Sequence, residues 1–89
     1  MSKVGVIRVQ GQDGRWAQQI VGEVQNWLAA SGWGDVVTAS FQPLATAKVQ
    51  VEFVPGQFQS NSLRRISLRE NARFSDFEAA LDRWLWELE

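Results

Sequence analysis

The sequence has no cysteine and no histidine among its 89 residues, and these two absences exclude several kinds of chemistry. Without cysteine there is no disulfide, no thiolate nucleophile and no thiolate metal ligand. Without histidine there is no Ser-His or Cys-His pair. General acid–base catalysis would need carboxylates or one of the two lysines, Lys3 and Lys48. We therefore expect a protein that is not an enzyme and has no catalytic residue.

The ten acidic residues are scattered over helix ends, turns and one strand. Metal centres and glycosidase sites need carboxylates that are held close together. The turn GQDG at 11–14 lies where phosphate-binding loops lie in nucleotide folds, but it lacks the Lys-Ser/Thr ending and the third glycine of those loops. We interpret it as a tight turn followed by a helix cap at Asp13, and we expect no metal and no cofactor.

Long apolar runs are also missing. No stretch approaches the ~18 apolar residues that a membrane span requires. The first residues, MSKVGVIRVQ, are too short and too charged for a signal peptide. These features, with the lack of cysteine, predict a cytoplasmic protein that has no membrane contact. The length and the absence of a linker or repeat predict one domain over residues 1–89.

Large aromatic residues are plentiful, since five tryptophans and five phenylalanines stand beside no tyrosine. With 45% hydrophobic residues, they provide a modest core made of few, large side chains. Alternation predicts strands over 3–10, 35–41, 46–54 and 63–69, with Ala47 among the inward residues of the third. Helical periodicity predicts helices over 13–31 and 75–89. The expected fold is α+β: a two-layer sandwich with a mainly antiparallel sheet, two helices on one face and the order β-α-β-β-β-α.

Burial of the apolar residues predicts the register of the last two strands. Pairing Val51 with Ile66 places Glu52 beside Arg65 on the solvent side of the sheet. The same register places Val49 beside Leu68, Gln50 beside Ser67, and Lys48 beside Arg69 in a like-charge pair.

Short signals mark the helix ends. Asp13 is a good N-cap for the first helix, and Ser31-Gly32-Trp33 is typical of a glycine stop with Trp33 folding back on Leu28. Ser75, followed three residues later by Glu78, predicts a capping box at the start of the last helix.

Trp86 lies on the polar side of the last predicted helix. The apolar stripe of that helix consists of Phe77, Leu81, Trp84, Leu85 and Leu88. Trp86 points about 180° from Phe77 and shares its face with Ala79, Asp82 and Arg83. Two interpretations remain open: an exposed interaction residue, or a side chain buried against another element. Phe58, in a polar loop, is a second candidate for an exposed anchor.

A cluster of cations provides the alternative site. Lys48, Arg65, Arg69 and Arg73 are expected near one another at the strand face and the loop that follows it. The order of elements from residue 13 onward resembles, in outline, a double-stranded RNA-binding domain. That resemblance implies nucleic-acid binding. However, the last helix here begins Ser-Asp-Phe-Glu instead of with lysines, and no aromatic residue lies among the cations to stack on bases.

The sequence therefore predicts a small non-enzymatic interaction module of the regulator, adaptor or inhibitor type. It would bind a protein partner, or a second copy of itself, through the outer face of the last helix. The expected residues are Trp86, Ala79, Asp82 and Arg83, with Phe58 as a further anchor. The alternative is a nucleic-acid-binding protein that uses Lys48, Arg65, Arg69 and Arg73.

Overall fold

The computed structural model describes residues 5–56 and 63–87, which form a small α+β domain. The elements, in chain order, are β1 (Gly5–Gly11), α1 (Gly14–Ala30), β2 (Val37–Pro43), β3 (Val49–Pro55), β4 (Arg64–Leu68), a 3-10 turn (Phe74–Asp76) and α2 (Glu78–Trp86). The predicted α+β class is therefore confirmed. No helix in these two stretches is both long enough and apolar enough to span a membrane.

The four strands form one mixed sheet in the order β2-β1-β3-β4. The pairs β1–β3 and β3–β4 are antiparallel, whereas β1 and β2 are parallel. The prediction of a mainly antiparallel sheet is therefore wrong. The physical reason is α1, which carries the chain back along the sheet so that β2 runs in the same direction as β1.

The predicted register of β3 and β4 is confirmed. Val51 lies opposite Ile66, and Glu52 lies opposite Arg65; Val49–Leu68 and Gln50–Ser67 also pair as expected. The ladder ends at the Val49–Leu68 pair, so Lys48 and Arg69 lie just beyond it. The prediction for Ala47 is wrong, because this residue precedes β3 and is exposed.

Both ends of α1 are fixed by the signals found in the sequence. The Asp13 carboxylate accepts hydrogen bonds from the backbone N–H groups of Arg15 and Trp16 at 3.0 and 3.1 Å. At the other end, Gly32 has a φ of 84°, a left-handed conformation that favours glycine. The N–H of Trp33 donates to the carbonyl of Leu28 at 2.9 Å, which completes a Schellman stop.

The start of α2 differs from the prediction. The helix begins at Glu78, and it is preceded by the 3-10 turn Phe74–Asp76, with Phe77 between the two. Asp76 caps that turn, because its carboxylate accepts the backbone N–H of Arg73 at 2.9 Å. The predicted capping box of Ser75 and Glu78 is therefore wrong. Packing of Phe74 across the ring of Phe77, with centroids 5.4 Å apart, accompanies the tighter turn.

One hydrophobic core joins the sheet to both helices. The sheet and α1 contribute Ile7, Val9, Val37, Ala39, Val51, Phe53, Ala17, Ile20, Val21, Val24 and Leu28. The last part of the chain contributes Phe77, Leu81, Trp84 and Leu85. The shared core is observed, while the detailed two-layer arrangement stays a prediction. Because the core takes one side of α2, the opposite side of this helix is left to solvent.

Candidate functional site

The outer face of α2 is the surface that the sequence singled out, and its residues are brought together as a continuous row. Ala79, Asp82, Arg83 and Trp86 are all exposed, and their spacing places them on the same side of the helix. We refer to these four residues as the α2 outer face. The opposite side holds the buried residues Phe77, Leu81, Trp84 and Leu85.

Trp86 is exposed, with 64% of its surface accessible to solvent in the single chain. The alternative, burial against another element of the same chain, is not what the structure shows. Leaving a tryptophan in water forgoes about 2 kcal/mol or more that burial of such a side chain supplies. Many protein interfaces contain an exposed aromatic residue of this kind with charged residues near it.

Leu63 is an exposed apolar residue that the sequence reasoning did not select. It is 47% exposed and directly precedes β4. Its chain neighbour Arg64 forms an ion pair with Glu87, with Nη2 2.9 Å from the carboxylate, and Glu87 is the chain neighbour of Trp86. Leu63 and Trp86, the two large apolar residues that are exposed in the described part of the chain, therefore flank the same ion pair.

The sequence contains a weak indication that Arg64 meets a carboxylate. Arg64 occupies a position of β4 whose side-chain parity matches the inward residues Ile66 and Leu68. A cation at such a position has to leave the core at the edge of the sheet, where it needs a carboxylate. Which carboxylate it meets depends on how α2 packs, and that contact is not written in the local sequence. Phe58, the other predicted anchor, lies outside the described residues.

The four cations predicted to bind an anion have different surroundings in the structure. Arg65 is held by Glu52, with Nε and Nη2 at 2.9 and 2.6 Å from the same carboxylate oxygen. The Arg69 guanidinium lies 4.0 Å from the Asp76 carboxylate and is otherwise exposed. Lys48 and Arg73 are exposed as well. Two of the four cations thus face a carboxylate, which lowers the positive potential available to a phosphate.

The sheet face opposite the core carries a network of polar side chains. The Gln10 amide donates to Gln42 at 2.6 Å and accepts from Gln50, so one row of hydrogen bonds crosses β2, β1 and β3. In the neighbouring row, Glu52 is only 4% exposed and pairs with Arg65. These side chains satisfy one another. The arrangement explains why Gln50 and Glu52, expected in solvent, are buried within a polar face.

A cleft of about 600 Å³ lies between α1 and the segment that precedes α2. Trp16, Ile20, Ala72 and Phe74 supply its apolar lining, and its polar lining is Gln19, Glu23, Asn71, Arg73 and Ser75. The Trp16 indole N–H is already used, since it donates to the Ala72 carbonyl at 2.7 Å. The cleft was not predicted, because residues 16 and 72 meet only in the folded chain.

Comparison with known proteins finds no family model that matches this chain, and no curated protein or solved structure with significant similarity to it. Residues 5–56 and 63–87 contain no group of three acidic side chains that is placed to hold a metal ion. Among the surfaces described above, the α2 outer face combines an exposed tryptophan with two opposite charges.

Proposed function

We propose that this chain is a small non-enzymatic interaction module that docks a protein partner through the α2 outer face. The observation that carries the proposal is the 64% exposure of Trp86 on an otherwise polar helix face. Tryptophan is enriched among the few interface residues that carry most of the binding energy. It contributes that energy when a partner buries its side chain.

The immediate surroundings of Trp86 support this assignment. The Arg64–Glu87 ion pair joins the end of α2, next to Trp86, to the start of β4. Asp82 and Arg83 place charges of both signs beside Trp86 on the same helix. Protein–protein interfaces commonly combine aromatic residues with polar and charged groups that pair with the partner. A rigid helix also lowers the conformational entropy that docking would cost.

The test is capture of partners by the immobilised full-length chain from an extract of the cells that produce it, with mass spectrometry as the readout. We expect Trp86→Ala to lose the captured protein. The matched control is Gln18→Ala, which removes an exposed side chain of α1 away from this face. Equal capture by the wild type and Trp86→Ala would refute the proposed surface, and loss of capture by Gln18→Ala would show a nonspecific effect.

Nucleic-acid binding is the weaker candidate, because carboxylates face Arg65 and Arg69. It makes a different prediction, namely an affinity that falls steeply with salt and depends on Lys48, Arg69 and Arg73. Titration with fluorescent duplex RNA and DNA at low salt tests it. Binding that survives Trp86→Ala but is lost in Arg69→Ala would favour this candidate over the protein-docking module.

A further inference from the structure

The α2 outer face is complementary to itself when two copies of the helix lie antiparallel. In such a pair, centred between Asp82 and Arg83, each residue faces the one that is equally far on the other side of the centre. Asp82 of one copy therefore faces Arg83 of the second copy, and Trp86 faces Ala79 of the second copy. All four residues are exposed in the single chain and available for this contact.

The charges of this face match in that arrangement. Each copy contributes one carboxylate and one guanidinium, so two equivalent Asp82–Arg83 contacts form across the two-fold axis. Among the described residues, neither Asp82 nor Arg83 belongs to an ion pair within the chain. Pairing with a second copy therefore breaks no ion pair within residues 5–56 and 63–87.

The sizes of the side chains match as well. Ala79 carries only a methyl group, and it faces the largest side chain of the set, Trp86 of the second copy. A small residue opposite a large one lets two helices approach to about 8–10 Å while the indole covers the facing backbone. The contact would bury two tryptophans that are each 64% exposed in the single chain.

The flanks of the row contain a like-charge contact that the structure already relieves. In the same register Glu78 faces Glu87 of the second copy. Glu87 is not an isolated anion, because Arg64 binds its carboxylate at 2.9 Å. The Arg64 guanidinium therefore offsets one of the two carboxylates at each end of the interface.

We propose that the protein partner of this face is a second copy of the chain, bound through an antiparallel pair of α2 helices. This inference rests on the proposed function and names its partner. The row from Ala79 to Trp86 spans about 10 Å, so the interface is smaller than those of obligate dimers. The dimer is reversible and forms as concentration rises.

The experiment is sedimentation equilibrium of the full chain from about 10 μM to about 1 mM, a range suited to a weak interface. We expect the wild type to approach twice the 10.1 kDa mass of one chain. Asp82→Arg places like charges opposite Arg83, and Arg83→Asp places like charges opposite Asp82. Each substitution alone should raise the dissociation constant at least about tenfold.

An equimolar mixture of the Asp82→Arg and Arg83→Asp chains provides the decisive measurement. In a mixed dimer both contacts pair opposite charges again, so dimers should return to an affinity within about threefold of the wild type. The rescue also shows that both variants are folded. Glu23→Arg is the control, because it makes a similar charge change on the exposed side of α1 and should leave the association unchanged.

A wild type that stays monomeric up to about 1 mM overturns the inference. So does a dimer that neither single substitution weakens, or a mixture that fails to recover. The proposed function is judged separately, by whether Trp86→Ala loses the captured protein, whether that protein is the cell's own copy of this chain or has another sequence. A monomeric chain that still captures a protein of another sequence would refute the second copy as partner and keep the docking face.

Discussion

Two tryptophans on the same helix have opposite environments. Trp84 is 9% exposed and belongs to the core, while Trp86, two residues further on, is 64% exposed. At about 100° per residue the two side chains point to opposite sides of α2. The apolar residues on the inner side are needed for the hydrophobic core, so they give no information about function. The outer side contributes little to the fold, and the proposed function is assigned to it.

The remaining tryptophans with described side chains support this contrast. Trp16 donates its indole N–H to the Ala72 carbonyl at 2.7 Å, which ties α1 to the segment before α2. Trp27 lies against Phe74, with ring centroids 5.9 Å apart, and Trp33 packs on the edge of the core. Each has a structural partner within the chain. Trp86 has no such partner among the described residues, and the proposed function gives it one on another molecule.

The largest expected effect comes from the inner side of α2. Trp84→Ala should lower the free energy of unfolding by about 3–5 kcal/mol, because it leaves a large cavity in a small core. Urea denaturation followed by circular dichroism measures this loss. A change below about 1 kcal/mol would mean that the inner side of α2 is not part of the core, and the contrast between the two tryptophans would fail.

A smaller effect is expected from the residue that fixes where α2 begins. Asp76→Ala removes the carboxylate that accepts the Arg73 N–H at 2.9 Å, and it should cost about 1 kcal/mol. Ser75→Ala is the matched control, because the observed turn does not use the Ser75 side chain as a cap. Equal losses in the same urea assay would contradict this assignment and restore the capping box that the sequence predicts at Ser75.

Alternation and periodicity predicted much of the core, although Ala47 was wrongly placed in it. Inward residues at every second position predicted the Val51–Ile66 register. The Glu52–Arg65 pair on the opposite, polar face of the sheet followed from that register. The direction of β2 relative to β1 was not predicted, because burial patterns are the same for parallel and antiparallel neighbours. The start of α2 was mispredicted since a local motif, Ser75 and Glu78, competed with the packing of Phe74, which no local pattern reports.

The candidate site shows the same division between local and long-range information. Helical spacing alone placed Ala79, Asp82, Arg83 and Trp86 on one exposed face. Which strand lies beside the end of α2 depends on long-range contacts such as the Arg64–Glu87 ion pair, which joins residues from β4 and the end of α2. Contacts between distant segments of the chain could be read only from the folded structure.

The third expected effect concerns the Arg64–Glu87 ion pair, which joins the start of β4 to the end of α2. Glu87→Gln removes the negative charge that Arg64 binds, and the loss of stability should stay below about 1 kcal/mol because both side chains are about 40% exposed. Thermal unfolding at low and high salt measures it. The difference from the wild type should shrink at high salt, as expected of a screened surface ion pair. A loss that salt does not change would indicate a packing role for Glu87.

The smallest effect on stability is expected at Trp86. Trp86→Ala should change the free energy of unfolding by less than about 0.5 kcal/mol, because the side chain is 64% exposed and leaves no cavity when it is removed. The measurement is urea denaturation at a protein concentration low enough to keep the chain monomeric, with Trp84→Ala measured in parallel. A loss comparable to that of Trp84→Ala would place Trp86 in the core in solution. A negligible loss, together with weakened association at high concentration, would assign the indole to the interface, since binding energy that is absent from the monomer can only be supplied by a partner.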